Sequence, residues 1–190
     1  MLPLLMEKFN FSAGIVGIGD NWIRKKLVDR ISRIVPEFRF ISTIHPQSII
    51  GRDVQIGEGT VVMPGAIINS NSFIGNFCII NTNASLDHDG IMGDYSSLAP
   101  RASTGGHVHL GEFSAICLGA NVIEGINIGH HTVVGAGSLV VNDIKSHVVA
   151  YGTPSKVIRK RVKGEAYLSK EKDPKIDLTI VHQNVRQPAV

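Results

Sequence analysis

Asp87-His88-Asp89 sets an imidazole between two carboxylates, the arrangement in this chain best suited to moving a proton. A carboxylate that accepts one imidazole N–H fixes the tautomer and raises the basicity of the other ring nitrogen, as a general base requires. Eighteen residues beyond His88 stands Gly106, within Thr104-Gly105-Gly106-His107. A residue without a side chain leaves its backbone N–H open to a developing oxyanion. Brought into one groove, a base and an open amide suffice for acyl transfer without a protein nucleophile. The plain alternative is a structural Asp-His-Asp corner.

The repeat that carries these residues decides whether they meet. From Ile50 to Lys145 sixteen hexapeptides follow without a break, and fifteen of the sixteen positions spaced by six from Ile50 are aliphatic or Met, Thr104 being the exception. Four residues after each comes a second restricted slot, from Val54, Thr60, Ala66, Ser72, Cys78 and Ala84 through to Ile144, and neither slot admits a charge or a His. A period of six fits neither the 3.6 of a helix nor the 2 of a plain strand. It predicts a parallel β-helix, in which short strands turn corners and coils stack. Three hexapeptides close one coil, so residues eighteen apart lie above one another at the strand spacing of about 4.8 Å. Both restricted slots then face inward, and function must sit outside. His88, His107, His109, His130 and His131 all fall at outward or corner positions. The corners are rich in Gly, Asn and Asp (Gly51, Gly57, Gly75, Asn81, Asp87, Gly93, Gly105, Gly111, Gly129, Gly135), which tolerate positive φ.

The 190 residues suffice for one repeat domain and a small appendage. Two cysteines, Cys78 in an inward slot and Cys117 at a corner, form neither a disulfide framework nor a CxxC metal site and suit a reducing compartment. Met1 to Met6 lacks a basic flank and a cleavage signal, and no apolar run is long enough to cross a bilayer, so a cytoplasmic protein without membrane insertion is expected. The net charge of +3 is unevenly spread. Ile50 to Ile144 holds eight acids and two bases, while Arg24, Lys25, Lys26 and then Lys156, Arg159, Lys160, Arg161 and Lys163 flank it. The basic clusters carry no interleaved aromatics, which argues against nucleic acid and leaves a phosphate-bearing ligand at the last coil as the sharper reading.

Ahead of the repeat, the apolar run Phe11 to Ile18 leads to Asp20, a candidate N-cap. Ile23, Leu27, Val28, Ile31 and Ile34 then recur at helical spacing, with basic residues on the other face. Phe38 to Ile44 reads as a strand, and His45-Pro46 breaks into the first coil. The fold class is thus all-β, a parallel β-helix preceded by a short β-α-β fragment. Its Gly17-x-Gly19 is half of a dinucleotide fingerprint, with Trp22 in place of the third glycine. Residues 1–45 form this truncated, Rossmann-like segment, 46–153 the β-helix, and 154–190 a basic motif and a tail expected to be weakly ordered from Gly164.

The hexapeptides, the Asn81-Thr82-Asn83-Ala84-Ser85-Leu86-Asp87-His88-Asp89 stretch, the Ile18-Gly19-Asp20-Asn21-x-Ile23-Arg24-Lys25-Lys26 string, Val133-Val134-Gly135-Ala136-Gly137-Ser138 and the Gly-x-Pro-x-Lys ending resemble the left-handed β-helix acyltransferases. The subgroup resembled is that of sialic acid O-acetyltransferases and bacillosamine-type amino-sugar N-acetyltransferases. The resemblance implies acetyl-CoA as acyl donor, a sugar or nucleotide-sugar acceptor, a homotrimer with its coenzyme channel between subunits, and no metal. It makes His88 the base, Asp89 the acidic partner that increases its basicity, and Gly106 the amide that binds the acetyl carbonyl. Leu118 and Ala136 then line the coenzyme channel, Lys156 lies near the coenzyme, and Asn81 lies near the acceptor. Ser97 stands where relatives often carry a His near the thioester. The family's Gly-rich nucleotide-holding unit precedes the part matched here, and of its nucleotide contacts Gly19 remains.

Two other classes share the fold. Zinc carbonic anhydrases of the γ type take three His ligands across a subunit interface, for which His88, His107 and His109 are the candidates. Their closely spaced ligand pair is His-x4-His, however, and here it is His107-x-His109. A non-catalytic assembly scaffold would ignore coenzyme A altogether.

Overall fold

A computed structural model describes residues 2–168 of the chain. Helix α1 (Leu2–Phe9) buries none of its residues. Strands β1 (Ala13–Gly14) and β2 (Arg39–Phe40) pair in parallel around helix α2 (Asn21–Ile34), giving the expected β-α-β fragment. Asp20 caps α2 as predicted, its Oδ1 accepting the Trp22 and Ile23 N–H groups at 3.0 and 3.1 Å. The segment expected as one strand from Phe38 to Ile44 divides. Arg39–Phe40 pairs with β1, whereas β3 (Thr43–Ile44) already belongs to the first coil and pairs with Val61–Val62. Ser42, between them, donates its hydroxyl to Gly57 O at 2.7 Å and draws the chain onto the prism.

From β3 to β19 (Leu139–Val140), two-residue strands alternate with corners. Partners lie eighteen residues apart, as in Ile67 opposite Ser85 and Ser85 opposite Ser103. The result is a left-handed β-helix with three sheets: a first face of six parallel strands, a second of five, and a third of eight whose last strand runs antiparallel. The largest sheet ends in a hairpin of β20 (Val148–Gly152) and β21 (Ser155–Lys160). The core follows the two slots: Ile68, Ile74, Ile80 and Leu86 in one, and Ala66, Cys78, Ala84 and Ala102 in the other, show no exposed surface (0 %). Hydroxyls buried in the second slot are bonded, Ser114 to Gly129 O at 2.7 Å and Thr132 to Lys145 O at 2.8 Å, which removes the cost of burying them.

The corner rule expected from sequence is displaced by two residues. Left-handed φ falls at Asp53, Asn71, Asp89, His107 and their equivalents, not at Gly51, Gly75 or Gly111. Those glycines answer a different demand, close approach of the next coil. A Cβ at Gly111 would meet His130 N at 2.5 Å, and one at Gly93 would meet Glu112 N at 2.7 Å.

One column of left-handed corners is aromatic. Phe77, Tyr95, Phe113, His131 and His147 stack with centroids 5.0, 5.1, 4.7 and 5.0 Å apart. Val16, Leu27 and Val28 of the β-α-β fragment cover the Phe77–Tyr95 end, and Trp22 meets Phe113 edge-on at 5.4 Å. His131 is therefore 6 % exposed and not the outward histidine expected from the repeat. Arg24 is likewise no part of a solvated basic face. Fully buried, it donates to Phe77 O (2.8 Å) and Tyr95 O (3.1 Å) of the prism and to Ile18 O, Gly19 O and Asn21 Oδ1 of its own segment. It clips the fragment to the β-helix.

Burial first, then His147, Arg161, His130 and Lys163, push the His131 imidazole down to about 4. An unfolded chain protonates that ring near 6.5. The neutral folded ring thus contributes fully above about pH 6.5, and the contribution is lost as pH falls from there through about 4. His131→Phe extends a column that already holds Phe at this φ in Phe77 and Phe113. It should flatten the fall in melting temperature between pH 6.5 and 4, which thermal denaturation across that range checks. An unchanged slope would exclude His131 as a source of the acid sensitivity.

Candidate active site

His88 lies at the corner after Ser85–Leu86 and before Ile91–Met92. Its Nδ1 is 2.8 Å from Asp89 Oδ2, and Asp89 Oδ1 accepts Asn71 Nδ2 at 3.3 Å from the coil below. Asp87 Oδ1 accepts the His88 N–H and Asn69 Nδ2, both at 2.7 Å. The Asp87 N–H donates to Thr104 Oγ1 at 3.2 Å. That bond gives a reason for the one position of the Ile50 series that is neither aliphatic nor Met: the Thr104 hydroxyl anchors the corner. The Asp89 hydrogen bond, then Asp87, Asp89 and Glu124 as charges, raise the His88 pKa above the ordinary imidazole value against some desolvation. The His88 hydrogen bond in turn holds Asp89 below the usual carboxylate range. With Nδ1 facing a carboxylate, the neutral ring keeps its proton there and offers the Nε2 lone pair.

Gly106 lies directly over this ring. A Cβ there would sit 2.5 Å from His88 Cε1 and 2.6 Å from Nε2, so the ring position requires glycine. Gly106 O accepts the Gly125 N–H at 2.9 Å, and among the described residues its own N–H has no hydrogen-bond partner. Gly106 and His88 are thus neighbours across the eighteen-residue stack. His107 joins them, its ring edge-on to His88 at 5.2 Å and its Nε2 3.9 Å from Asp89 Oδ2. His109 does not: it stands on the second face, lining an open cavity with Ile91 and Asn127.

A second concavity of about 250 Å³ lies at a different corner, between the third and first faces. It gathers five further residues singled out from sequence: Gly19, Asn81, Ser97, Leu118 and Ala136. Lys156 is exposed on β21 opposite Tyr151, outside this lining. The chain therefore brings His88, Asp89 and Gly106 together, and Gly19, Asn81, Ser97, Leu118 and Ala136 together, with the first face of the prism between the two groups. Of the basic residues beyond the repeat, Arg159 pairs with Glu165 at 2.6 Å and Arg161 is buried with a bond to His131 O at 3.0 Å. Lys156 and Lys160 stay exposed.

Tyr167 is the pocket residue that sequence reasoning missed. Its hydroxyl lies 3.0 Å from Ser97 Oγ and 3.4 Å from Gly19 O, while its N–H donates to Asp20 Oδ2 at 3.1 Å. Residues 164–168 thus return to α2, against the weak order expected from Gly164; the rest of that tail lies outside the described residues. Burial pushes the phenol up to about 12, so it remains a neutral donor. Asn69 and Asn71 were also missed, although counting eighteen residues back from Asp87 and Asp89 leads to them.

Repeat and prism together define a hexapeptide-repeat transferase. The family described as bacterial transferase hexapeptide (six repeats) matches residues 47–82. UDP-N-acetylbacillosamine N-acetyltransferase of Bacillus subtilis (strain 168) is 42% identical over 49 residues, which are 26% of this chain and 22% of that relative's length. PerB from Caulobacter crescentus, solved with CoA and GDP-perosamine, superposes with a TM-score of 0.77 at 40% identity, over 82% of this chain and 74% of that one. The acetyltransferase domain of PglB from Neisseria gonorrhoeae FA1090, solved with acetyl coenzyme A, gives 0.71 at 30% identity over 76% and 69%. The chain belongs to this family of hexapeptide-repeat acetyltransferases.

Gly106→Ala places a methyl inside the His88 ring and leaves the backbone alone. The ring must turn away, so turnover should fall about 10²-fold while the melting temperature barely changes. A variant with normal turnover would mean that the ring over Gly106 is not the reacting group.

Proposed function

We propose that the protein is an acetyl-CoA-dependent N-acetyltransferase acting on an amino group of a nucleotide-linked sugar, with His88 as general base. The observation that carries this reading is the His88–Asp89 pair packed against Gly106, whose N–H has no partner among the described residues. His88 Nε2 takes a proton from the acceptor amine as the nitrogen attacks the thioester carbonyl. The Gly106 N–H holds the oxyanion of the tetrahedral intermediate. Collapse releases the coenzyme A thiolate, which takes the proton back from the imidazolium. A sugar hydroxyl would use the same base; the amine is favoured because the similar proteins are N-acetyltransferases.

The two residue groups must also be joined. A thioester at His88 cannot have its coenzyme arm along Leu118 and Ala136 of the same chain without crossing a face of the prism. Three prisms around a three-fold axis set the His88 corner of one chain against the Ser97–Leu118–Ala136 pocket of the next. We therefore assign the site to the interface of a homotrimer, with Lys156 reaching the coenzyme phosphates and Asn81 and Gly19 on the acceptor side.

Following free thiol released from acetyl-CoA against a panel of amino sugars, free and nucleotide-linked, tests the function. His88→Ala should lower kcat by about 10²–10⁴-fold. Asp89→Asn, which keeps a residue tolerant of positive φ, removes the partner that raises the His88 pKa. Its acidic limb should therefore shift to lower pH, with a lower plateau from the weaker base. Near-normal turnover by His88→Ala would remove this mechanism.

A further inference from the structure

The His88 corner carries a donor that acyl transfer leaves unused. Asp89 Oδ2 lies 2.8 Å from His88 Nδ1 and 3.9 Å from His107 Nε2. One ligand atom from each of the three residues falls within 4.8 Å of the others. We propose that His88 Nδ1, Asp89 Oδ2 and His107 form a binding site for a zinc-like divalent metal ion, and that the bound ion switches off the base. Metal binding stands on the donor set alone; the switch rests on His88 being the base, as proposed above.

Two imidazoles and a carboxylate make a donor set that suits Zn²⁺, with a fourth position for water. Bonds of about 2.0–2.1 Å in tetrahedral geometry put donor atoms about 3.3 Å apart. The 2.8 Å separation must open and the 3.9 Å one close, each by roughly half an ångström, and the two imidazole nitrogens, within 4.8 Å of each other, must draw together as well. The side chains are 50 %, 38 % and 57 % exposed and free to make that adjustment. Their backbone is fixed by the stack: the Asp89 N–H bonds Ser70 O at 3.0 Å and the His107 N–H bonds His88 O at 2.9 Å. Asp87 and Glu124, which favour the charged form of His88, favour a cation here for the same reason.

The effect on the base follows from the imidazole's single proton. Without metal, that proton sits on Nδ1 facing Asp89, and Nε2 keeps its lone pair over Gly106. A metal that takes the Nδ1 lone pair requires the neutral ring to carry its proton on Nε2. Nε2 then donates and cannot accept, so the acceptor amine keeps its proton. Asp89 turns from proton partner to metal ligand in the same step.

The test is calorimetric titration of chelator-stripped protein with ZnCl₂, for wild type and His107→Asn, beside thiol-release assays at the same zinc concentrations. Asn accepts the left-handed φ of 56° at this corner, so the variant should fold. Wild type should bind one ion per chain in the micromolar range and lose turnover as the site fills. His107→Asn should bind zinc about 10-fold more weakly or worse, and its turnover, measured against its own zinc-free rate, should resist inhibition. Absence of saturable binding, or equal affinity in the variant, would overturn the site. Saturable binding that depends on His107 but leaves turnover intact would overturn the switch. Calorimetry decides the site even if no acceptor is turned over.

Discussion

Each coil of this protein closes in eighteen residues, and its backbone hydrogen bonds run to the coils above and below. Strands of the prism pair in register with residues eighteen positions away, as Ile91 does opposite Phe73 and His109. A single insertion would therefore move every later side chain out of register, and the unbroken hexapeptides reflect that constraint. The same register stacks corners into columns. One column is the aromatic ladder, on which the β-α-β fragment docks. Another sets Asn71, Asp89 and His107 above one another and Gly106 over His88, so the geometry of the corner follows from the hydrogen-bonded stack.

Much of this was legible in the sequence because the period is a physical distance. Counting by six gives the inward residues, and counting by eighteen brings Gly106 to His88. The Thr104 exception could have been read as an anchor for the Asp87 N–H, since it lies one residue short of a full coil away. Two features were misread for identifiable reasons. The glycines at Gly51, Gly93 and Gly111 looked like sites of positive φ, but they mark contact with the next coil. Arg24 and His131 looked exposed because the repeat pattern says nothing of what packs outside the prism. Tyr167 was beyond reach, since its contacts to Ser97 and Gly19 span 70 and 148 residues and obey no period.

The division of the residues between two corners is the feature that bears most on function. One corner holds a proton acceptor and an amide donor but is exposed. The other holds a small apolar pocket, roofed by Tyr167 and Leu168, but no base. Neither is a complete transfer site. In the proposed trimer, joining them between chains would make oligomer and active site one structure, and would give the Arg24 clip and the aromatic ladder a role in positioning Gly19 and Tyr167 at the pocket.

Mixing two inactive variants tests this account most directly. His88→Ala removes the base from one corner, and Ala136→Trp fills the pocket at the other. If each site takes one corner from each of two chains, equal mixing during refolding or co-expression should restore about a quarter of wild-type turnover. Mixed oligomers as inactive as either parent, with both variants folded and assembled like wild type, would contradict the shared site and place both halves of the chemistry within a single chain.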